Sequence, residues 1–217
     1  MKTKGFLFDL DGVIVDTAKY HYAAWKRLAG ELGLHFTTAD NELLKGVSRR
    51  KSFEIILSLN KRSMPEEQIA SCCEKKNDYY LEYINRLGKD DVLPGVKDFI
   101  PDARRLGLKT AIGSASKNCM LILERLELTD YFDAIIDGTK VSMAKPDPEV
   151  FMKGAKALGL PPESCIVFED SLAGIIAAHN GGMKAVGIGN AEVKKHSDFF
   201  LEGFETISVE SLLAKVN

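Results

Sequence analysis

The chain has 217 residues, of which 45% are hydrophobic and 28% charged, a composition typical of folded globular proteins. The formal net charge of −2 gives no basic field of the kind that binds nucleic acid or an anionic membrane. The short apolar run near the N-terminus meets Asp9 and Asp11, unlike a signal peptide, and no apolar stretch reaches the roughly 20 residues that span a bilayer. These features predict a cytoplasmic protein with no nucleic-acid or membrane partner.

Five short apolar segments are predicted to be strands, because nearly continuous apolar runs of this length suit strands buried on both faces. They are residues 5–10, 109–113, 134–137, 165–168 and 184–188. Helical patterns lie between the later strands, at residues 95–106, 117–127, 148–158 and 171–181. Alternation of strands and helices with right-handed crossovers predicts an α/β fold built on a doubly wound parallel sheet.

Residues 16–89 interrupt this alternation, because they contain helical patterns and no clear strand. The predicted helices are residues 17–32, 39–44, 48–58 and 65–86. The segment Val92-Leu93-Pro94-Gly95 then restarts the alternation. We therefore expect a core domain formed by residues 1–15 and 90–217, with an all-helical cap domain inserted at residues 16–89.

Four cysteines, at positions 72, 73, 119 and 165, form no CxxC pair and have no histidine at zinc-ligand spacing. We interpret them as reduced thiols that serve as small packing residues, as is usual in the cytoplasm. They predict neither a disulfide framework nor a zinc site.

Polar residues follow the predicted strands at the points where the strands end. In open parallel sheets these carboxyl ends meet at one edge, where ligands bind. The residues expected to converge there are Asp9, Asp11, Ser114, Ser116, Lys145, Glu169 and Asp170.

Packed carboxylates repel one another and lose hydration, so such a cluster needs a physical reason. A hard divalent cation provides one, because Mg²⁺ prefers oxygen ligands and also accepts water and phosphate oxygens. Lysine and serine suit a phosphoryl group in transfer, and an aspartate can carry that group covalently. We therefore predict that Asp9 is a nucleophile that becomes transiently phosphorylated in a magnesium-dependent enzyme.

Asp11 is predicted to be the acid and base of this reaction. It follows Asp9 by two residues, which in a strand would place both side chains on one side, and Gly12 lets the chain turn beyond them. Asp11 would then protonate the leaving oxygen and later deprotonate the incoming hydroxyl.

Each piece has a simpler interpretation when it is taken alone. The Asp-Leu-Asp segment could be a solvated turn, residues 169–171 a helix N-terminus, and Lys145 a surface lysine. The joint pattern favours a site, because four separate segments each end in a residue type that the chemistry needs.

The same four segments resemble the four motifs of the haloacid dehalogenase superfamily. The first, residues 9–14 (DLDGVI), is similar to DxDGx(V/T); the others are Ser114 after a glycine, Lys145 in the sequence KPDP, and the pair Glu169 and Asp170. The resemblance covers nearly the whole chain. The helical insert resembles the small cap of one subclass, which implies a Rossmann-like core with an inserted helical cap.

Within that superfamily the chain resembles the β-phosphoglucomutase-like subfamily. The resemblance is carried by residues 17–25, residues 45–52, Lys76 and the run Ser-Ala-Ser-Lys-Asn at 114–118. It implies an isomerase that interconverts β-glucose 1-phosphate and glucose 6-phosphate through a phosphoaspartate and a 1,6-bisphosphate. It also implies a monomer that uses Mg²⁺ and takes small sugar phosphates as its partners.

The resemblance also assigns roles to individual residues. Catalysis falls to Asp9 and Asp11, and the implied metal ligands are Asp9, the backbone carbonyl of Asp11, Glu169 and Asp170. The transferred phosphate is assigned to Ser114, Ala115 and Lys145. The stationary phosphate, which a mutase needs and a monophosphate phosphatase does not, is assigned to Arg49, Ser116, Lys117 and Asn118. The cap and sugar residues are Thr17, His21, Trp25, Lys45, Gly46, Val47, Ser52 and Lys76.

Two other functions stay open. The same scaffold could be a sugar-phosphate phosphatase, or a phospho-ligand-binding protein without catalytic activity. The cap lysines and Arg49 could be solvated charges, His21 a partly buried aromatic residue, and Trp25 part of the cap core.

Overall fold

The computed structural model describes residues 2–44 and 47–216. The chain forms two compact units. The core unit consists of Met1–Asp16 and Gly88–Asn217, and the helical unit consists of Thr17–Leu87. Across the described ranges, no helix is both long and apolar enough to cross a bilayer.

The helical unit contains α1 (Ala18–Glu31), α2 (Thr38–Glu42), α3 (Arg49–Leu59) and α4 (Glu66–Ile84). Its longest helices, α1 and α4, pack along each other, and α3 packs on α4. The ring of Trp25 on α1 stacks on the ring of Phe53 on α3 at a centroid distance of 5.7 Å. Both side chains are almost fully buried, so this aromatic pair forms part of the unit's own hydrophobic core.

The described residues of the core unit form six parallel strands. They are β1 (Gly5–Phe8), β2 (Lys109–Gly113), β3 (Ala134–Ile136), β4 (Cys165–Glu169), β5 (Lys184–Ile188) and β6 (Phe199–Leu201). Their order in the sheet is β3-β2-β1-β4-β5-β6. The chain therefore places β2 and β3 on one side of β1. It then crosses to the other side of β1, where β4, β5 and β6 follow in order.

The helices of the core unit are α5 (Val96–Arg105), α6 (Cys119–Arg125), α7 (Glu149–Leu158), α8 (Leu172–Asn180), α9 (Ala191–Lys194) and α10 (Val209–Val216). Short 3₁₀ turns occur at Lys89–Asp91, Thr129–Tyr131, Pro162–Ser164 and Phe204–Thr206. The predicted doubly wound parallel sheet and all-helical insert are confirmed.

The first strand, β1, is buried on both faces because its side chains alternate between two apolar layers. Phe8 stacks on Phe168 at 4.7 Å, and Phe6 stacks on Phe99 of α5 at 6.0 Å. Leu7 belongs to a separate buried cluster that includes Phe151 of α7. This two-sided packing fixes where the carboxyl end of β1 emerges.

In two places the strands differ from the prediction by more than one residue. The first predicted strand extends to residue 10, but β1 ends at Phe8 because the carbonyl oxygen of Leu10 accepts the amides of Ile14 and Val15 in a turn. The sequence also misses β6, a three-residue edge strand that pairs with β5 alone among the described strands. Such a short segment has no measurable periodicity, so only tertiary pairing defines it.

Candidate active site

The candidate site lies at the carboxyl ends of β1 and β4, where the strand order reverses. Phe8 is in register with Phe168, so the next residues, Asp9 and Glu169, are neighbours across the sheet. The amide of Asp9 donates to the carbonyl oxygen of Phe168 at 3.0 Å. This is the switch point at which open parallel sheets bind ligands.

Lys145 reaches this point from the loop between β3 and α7. Its ammonium donates to Asp9 Oδ1 at 2.6 Å and also to Glu169 Oε1. The lysine side chain is only 2% exposed, and its ammonium lies 4.8 Å from the ring centre of Phe151. Burial opposes the charge of Lys145, but Asp9 and Glu169 outweigh burial and raise its pKa. The loop lysine is therefore a buried cation that is paired with two carboxylates.

The carboxyl group of Asp9 is tuned by the same neighbours. Burial raises the pKa of Asp9 to about 6, and the charge of Lys145 opposes this rise while Glu169 adds to it. Asp9 is thus ionised at neutral pH but takes up a proton under mildly acidic conditions.

Three carboxylates are close enough to share a cation. Oxygen atoms of Asp9, Glu169 and Asp170 all lie within 4.8 Å of one another. Glu169 Oε2 accepts hydrogen bonds from the amide and the hydroxyl of Ser171, both at 2.9 Å, which fixes the carboxylate. An all-oxygen set of this kind suits a hard divalent cation such as Mg²⁺.

Two glycines make room for these carboxylates. A Cβ on Gly174 would lie 1.8 Å from Glu169 Oε1, and a Cβ on Gly12 would lie 2.2 Å from Asp170 Oδ2. Gly12 also has a φ of +80°, in the left-handed region that favours glycine. The acidic cluster therefore depends on small residues in both chain segments that approach it.

Asp11 does not lie on a strand. Since β1 ends at Phe8, neither Asp9 nor Asp11 lies on that strand, and the strand geometry predicted for this pair is wrong. Asp11 instead makes an isolated bridge with Val15 in the turn that follows. It is half-buried, and burial followed by the field of Asp11 raises the pKa of the Cys119 thiol.

The loop after β2 presents two hydroxyl groups. The Oγ atom of Ser114 accepts the amide of Ser116 at 3.1 Å, and the Oγ atom of Ser116 accepts the amide of Asn118 at 3.2 Å. A hydroxyl oxygen that accepts a hydrogen bond still carries its own hydrogen. Each of these hydroxyl groups can therefore donate to a bound oxyanion. Ser114 is buried, Ala115 is half-buried and Lys117 is exposed.

The helical unit contains a second charged cluster, centred on Lys76. Lys76 is 1% exposed, and its ammonium lies 2.8 Å from His21 Nδ1. The same ammonium lies 5.0 Å from the ring centre of Trp25 and 4.6 Å from that of Tyr80. Aromatic faces attract a cation, so the rings help to hold a buried positive charge.

His21 is neutral in this cluster. Burial lowers its pKa well below the usual range, and the charges of Lys76 and Arg49 lower it further. An ammonium group has only donors, so His21 Nδ1 accepts from Lys76 and the ring hydrogen is on Nε2.

The other predicted residues of the helical unit have different surroundings. Half-buried Arg49 donates from Nη2 to Asn77 Oδ1 at 2.7 Å. Buried Ser52 donates to the carbonyl oxygen of Ser48 at 3.0 Å. Thr17 is buried, and its carbonyl oxygen accepts the amide of His21 at 3.0 Å.

The structure therefore brings the predicted residues together in two groups, one in each unit. The core group contains Asp9, Lys145, Glu169 and Asp170, and the helical group contains His21, Trp25, Arg49 and Lys76. Val47 is half-buried, and the predicted Lys45 and Gly46 lie outside the described residues.

Three contributing residues were missed at the level of sequence. They are Ser171, which fixes Glu169; Tyr80, which lies beneath Lys76; and Asn77, which accepts from Arg49. Tyr80 had a usable signal, because it follows Lys76 by four residues on one helix and so shares its face.

A family model for haloacid dehalogenase-like hydrolases matches residues 3–182. The chain belongs to this family. A β-phosphoglucomutase of Bacillus subtilis (strain 168) is 37% identical over 213 residues, covering 96% of this chain and 93% of that protein. A fructose-1-phosphate phosphatase of Escherichia coli (strain K12) is 32% identical, covering 85% of this chain and 95% of that protein.

A solved structure gives the same placement within the haloacid dehalogenase family. The crystal structure of a β-phosphoglucomutase from Clostridium difficile has a TM-score of 0.94 and 40% identity, and the match covers 98% of this chain and 96% of that one. The predicted membership of the β-phosphoglucomutase-like subfamily is confirmed, as is the prediction of an enzyme.

Proposed function

We propose that this enzyme is a magnesium-dependent mutase that interconverts β-glucose 1-phosphate and glucose 6-phosphate. The intermediates are a phosphorylated Asp9 and β-glucose 1,6-bisphosphate. The observation that carries the proposal is the buried Asp9 carboxylate, placed at the switch point with Lys145 at 2.6 Å and two further carboxylates beside it. The two β-phosphoglucomutases to which the chain is similar support the choice of a mutase.

The carboxylates Asp9, Glu169 and Asp170 would hold Mg²⁺, together with the backbone carbonyl of Asp11. When bound, the cation would neutralise negative charge on the phosphoryl oxygens and on the ligands. Lys145 and Ser114 would donate hydrogen bonds to the equatorial oxygens of the same phosphoryl group.

In the first half of the reaction, phosphorylated Asp9 gives its phosphoryl group to a hydroxyl of the bound sugar monophosphate. The new bond joins phosphorus to the sugar oxygen, and the bond between phosphorus and the Asp9 oxygen breaks. Asp11 takes the proton from the attacking hydroxyl.

In the second half, the bisphosphate presents its other phosphate to the free Asp9 carboxylate. An Asp9 oxygen attacks phosphorus, the bond from phosphorus to the sugar oxygen breaks, and Asp11 returns its proton to that oxygen. The enzyme is again phosphorylated and the product is the isomeric monophosphate.

A bisphosphate also has a phosphate that is not being transferred, and we propose that cationic and polar residues bind it. The candidates are those that the family resemblance implies: Arg49, Ser116, Lys117 and Asn118. A guanidinium group matches two phosphate oxygens at once, which suits Arg49 to this role.

The test is a product assay with MgCl₂, β-glucose 1-phosphate and a catalytic amount of β-glucose 1,6-bisphosphate. We expect glucose 6-phosphate to form in step with substrate loss, with little free phosphate. Equal amounts of sugar and free phosphate would instead identify a phosphatase, the activity named for the Escherichia coli relative. Absence of both products, repeated across a series of β-aldose 1-phosphates, would overturn the mutase proposal.

A further inference from the structure

Lys145 is buried, but the loop that delivers it is not. Residues 137–148 connect β3 to α7, and Ser142, Met143 and Ala144 on this loop are exposed. An exposed loop samples several conformations unless its backbone groups are held by hydrogen bonds. A buried ammonium at the end of such a loop therefore needs an anchor nearby.

Glu149, in the first turn of α7, provides that anchor. Its Oε2 atom accepts the amides of Ser142 at 2.8 Å and Met143 at 2.6 Å. The hydroxyl of Ser142 donates to the same oxygen at 3.0 Å. Lys153, one turn further along α7, donates to Glu149 Oε1 at 2.6 Å. One carboxylate, 18% exposed, thus fixes the loop two and three residues before Lys145.

The same helix supports the loop at other points. The ammonium of Lys153 donates to the carbonyl oxygen of Lys140 at 2.6 Å. The amide of Glu149 donates to Asp147 Oδ1 at 2.9 Å. Phe151, also on α7, is the ring that lies beside the Lys145 ammonium. The helix therefore carries both the anchor of the loop and one wall around its lysine.

We propose that Glu149 is a positioning residue that holds the 137–148 loop, so that the Lys145 ammonium stays between Asp9 and Glu169. Glu149 contacts Ser142, Met143 and Lys153. It would therefore act on the reaction through Lys145. The expected effect of Glu149 on the reaction rate rests on the proposed phosphoryl transfer. The anchoring of the loop does not depend on which sugar the enzyme binds.

The donors around Glu149 keep it ionised. The Lys153 ammonium and then the Met143 amide hold its carboxyl pKa down to about 2. The anchor is therefore charged throughout the pH range in which the enzyme would work, so we expect the Glu149 effect to be independent of pH above about 4.

The experiment compares Glu149→Ala, Glu149→Gln and Glu210→Ala. Glutamine keeps an oxygen that can accept the Ser142 and Met143 amides, whereas alanine keeps none. Glu210 is a matched control, because it lies in the first turn of α10 and pairs with Arg105 only at 3.9 Å. Its removal changes a helix N-terminal charge without touching the loop.

The first readout is the rate of phosphoaspartate formation from acetyl phosphate and MgCl₂. We expect Glu149→Ala to lower the second-order rate constant of this phosphorylation by about 10- to 100-fold, since small misplacements of a catalytic group cost that much. Glu149→Gln and Glu210→Ala should stay within about threefold. Combined with Lys145→Ala, Glu149→Ala should cause little further loss, because both changes remove the same interaction.

The second readout is reductive methylation of Lys145 in the folded protein, followed by mass spectrometry, which requires no activity. We expect Lys145 to react about tenfold faster in Glu149→Ala than in the unchanged protein or in Glu149→Gln. An unchanged methylation rate in Glu149→Ala would overturn the proposal. It would also be overturned if Glu149→Ala lowered the phosphorylation rate by the same factor in the Lys145→Ala variant as in the protein that retains Lys145. If acetyl phosphate gives no phosphoaspartate in the unchanged protein, the proposed function fails, and the methylation rate still decides the role of Glu149.

Discussion

Each of the two units buries a lysine, but the two lysines have different neighbours. In the core unit the ammonium of Lys145 donates to Asp9 and Glu169. In the helical unit the ammonium of Lys76 contacts the faces of two aromatic rings and a neutral histidine. The side chain of Lys145 is 2% exposed and Lys76 is 1% exposed. Burial by itself therefore does not decide what a charged group does.

The two lysines differ in the chemistry of the contacts described above. Two carboxylates neutralise Lys145 and keep it fixed beside Asp9, the proposed nucleophile, and a cluster of carboxylates that could hold a cation lies next to it. The charge of Lys76 lies beside a histidine and helps to lower the pKa of His21. A lysine paired with carboxylates, such as Lys145, suits a site that organises carboxylates. A buried lysine near an arginine, such as Lys76 near Arg49, adds positive potential that attracts an anion.

The largest effect is expected from Asp9→Asn, which removes the proposed nucleophile and one of the two negative charges beside Lys145 while preserving shape. An amide cannot accept a phosphoryl group in this chemistry, so turnover should fall by about 10⁴-fold or more. The measurement is acid-labile phosphoaspartate formed from acetyl phosphate, together with the mutase assay. Asp102→Asn, on the exposed part of α5, is the control and should change neither. Substantial mutase activity in Asp9→Asn would disprove the assignment of the nucleophile.

Arg49→Ala tests the anion side of the comparison. We expect mutase activity to fall by about 10- to 100-fold, the loss of a charge-assisted hydrogen bond pair. Hydrolysis of a small phosphomonoester, which has no second phosphate, should fall by less than about threefold. Arg50→Ala is a matched control one residue along α3, because exposed Arg50 pairs with Glu54 and Glu66. Equal losses in both assays would argue against a second phosphate site that includes Arg49.

A smaller effect is expected from pH on the acidic side. The pKa of Asp9 is raised from 3.8 to about 6, so Mg²⁺ must displace a proton from Asp9 below that pH. Mg²⁺ should therefore bind about tenfold more weakly at pH 5 than at pH 7, as measured by isothermal titration calorimetry. Asp9→Asn should remove this dependence. A flat profile in the unchanged protein would contradict the role of Asp9 as a ligand.

The same shift predicts the sign of a stability change without metal. A carboxyl whose pKa is raised on folding adds stability at pH values below 3.8, and that stability is lost as the pH rises through about 6. In the metal-free protein, Asp9 should therefore add less to the free energy of unfolding at pH 7 than at pH 5. The measurement is the free energy of unfolding of the unchanged protein and of Asp9→Asn, obtained by chemical denaturation at both pH values. A larger contribution of Asp9 at pH 7 than at pH 5 would contradict burial as the cause of its raised pKa.

The smallest effect is expected in the helical unit. Lys76→Met removes a charge that lowers the pKa of His21, so this pKa should rise but stay below 6.5, because burial is the larger cause. NMR titration of the histidine ring signals measures the change, with exposed His179 as an internal reference. An unchanged His21 titration would show that Lys76 has no electrostatic effect on it.

The sequence by itself determined the class of fold and the order of its parts. Apolar runs and helical periodicity are local properties, so they located β1 to β5 and the all-helical insert. They missed β6 and extended β1 to residue 10, because the end of a strand depends on pairing and on turns such as the one around Gly12.

The sequence also named most residues that the structure places together, because strand ends converge by topology. Asp9, Glu169 and Asp170 were expected on one edge of the sheet, and their oxygen atoms lie within 4.8 Å of one another. The chemical roles of these residues stay predictions that the experiments above test.

Only the tertiary structure decided how the charges are compensated. The sequence does not show that Lys145 is shared by two carboxylates, that Lys76 is held by Trp25 and Tyr80, or that Glu149 anchors the loop before Lys145. Burial, pKa and hydrogen bonding depend on distances between segments that are far apart along the chain, and these distances are set by packing rather than by local pattern.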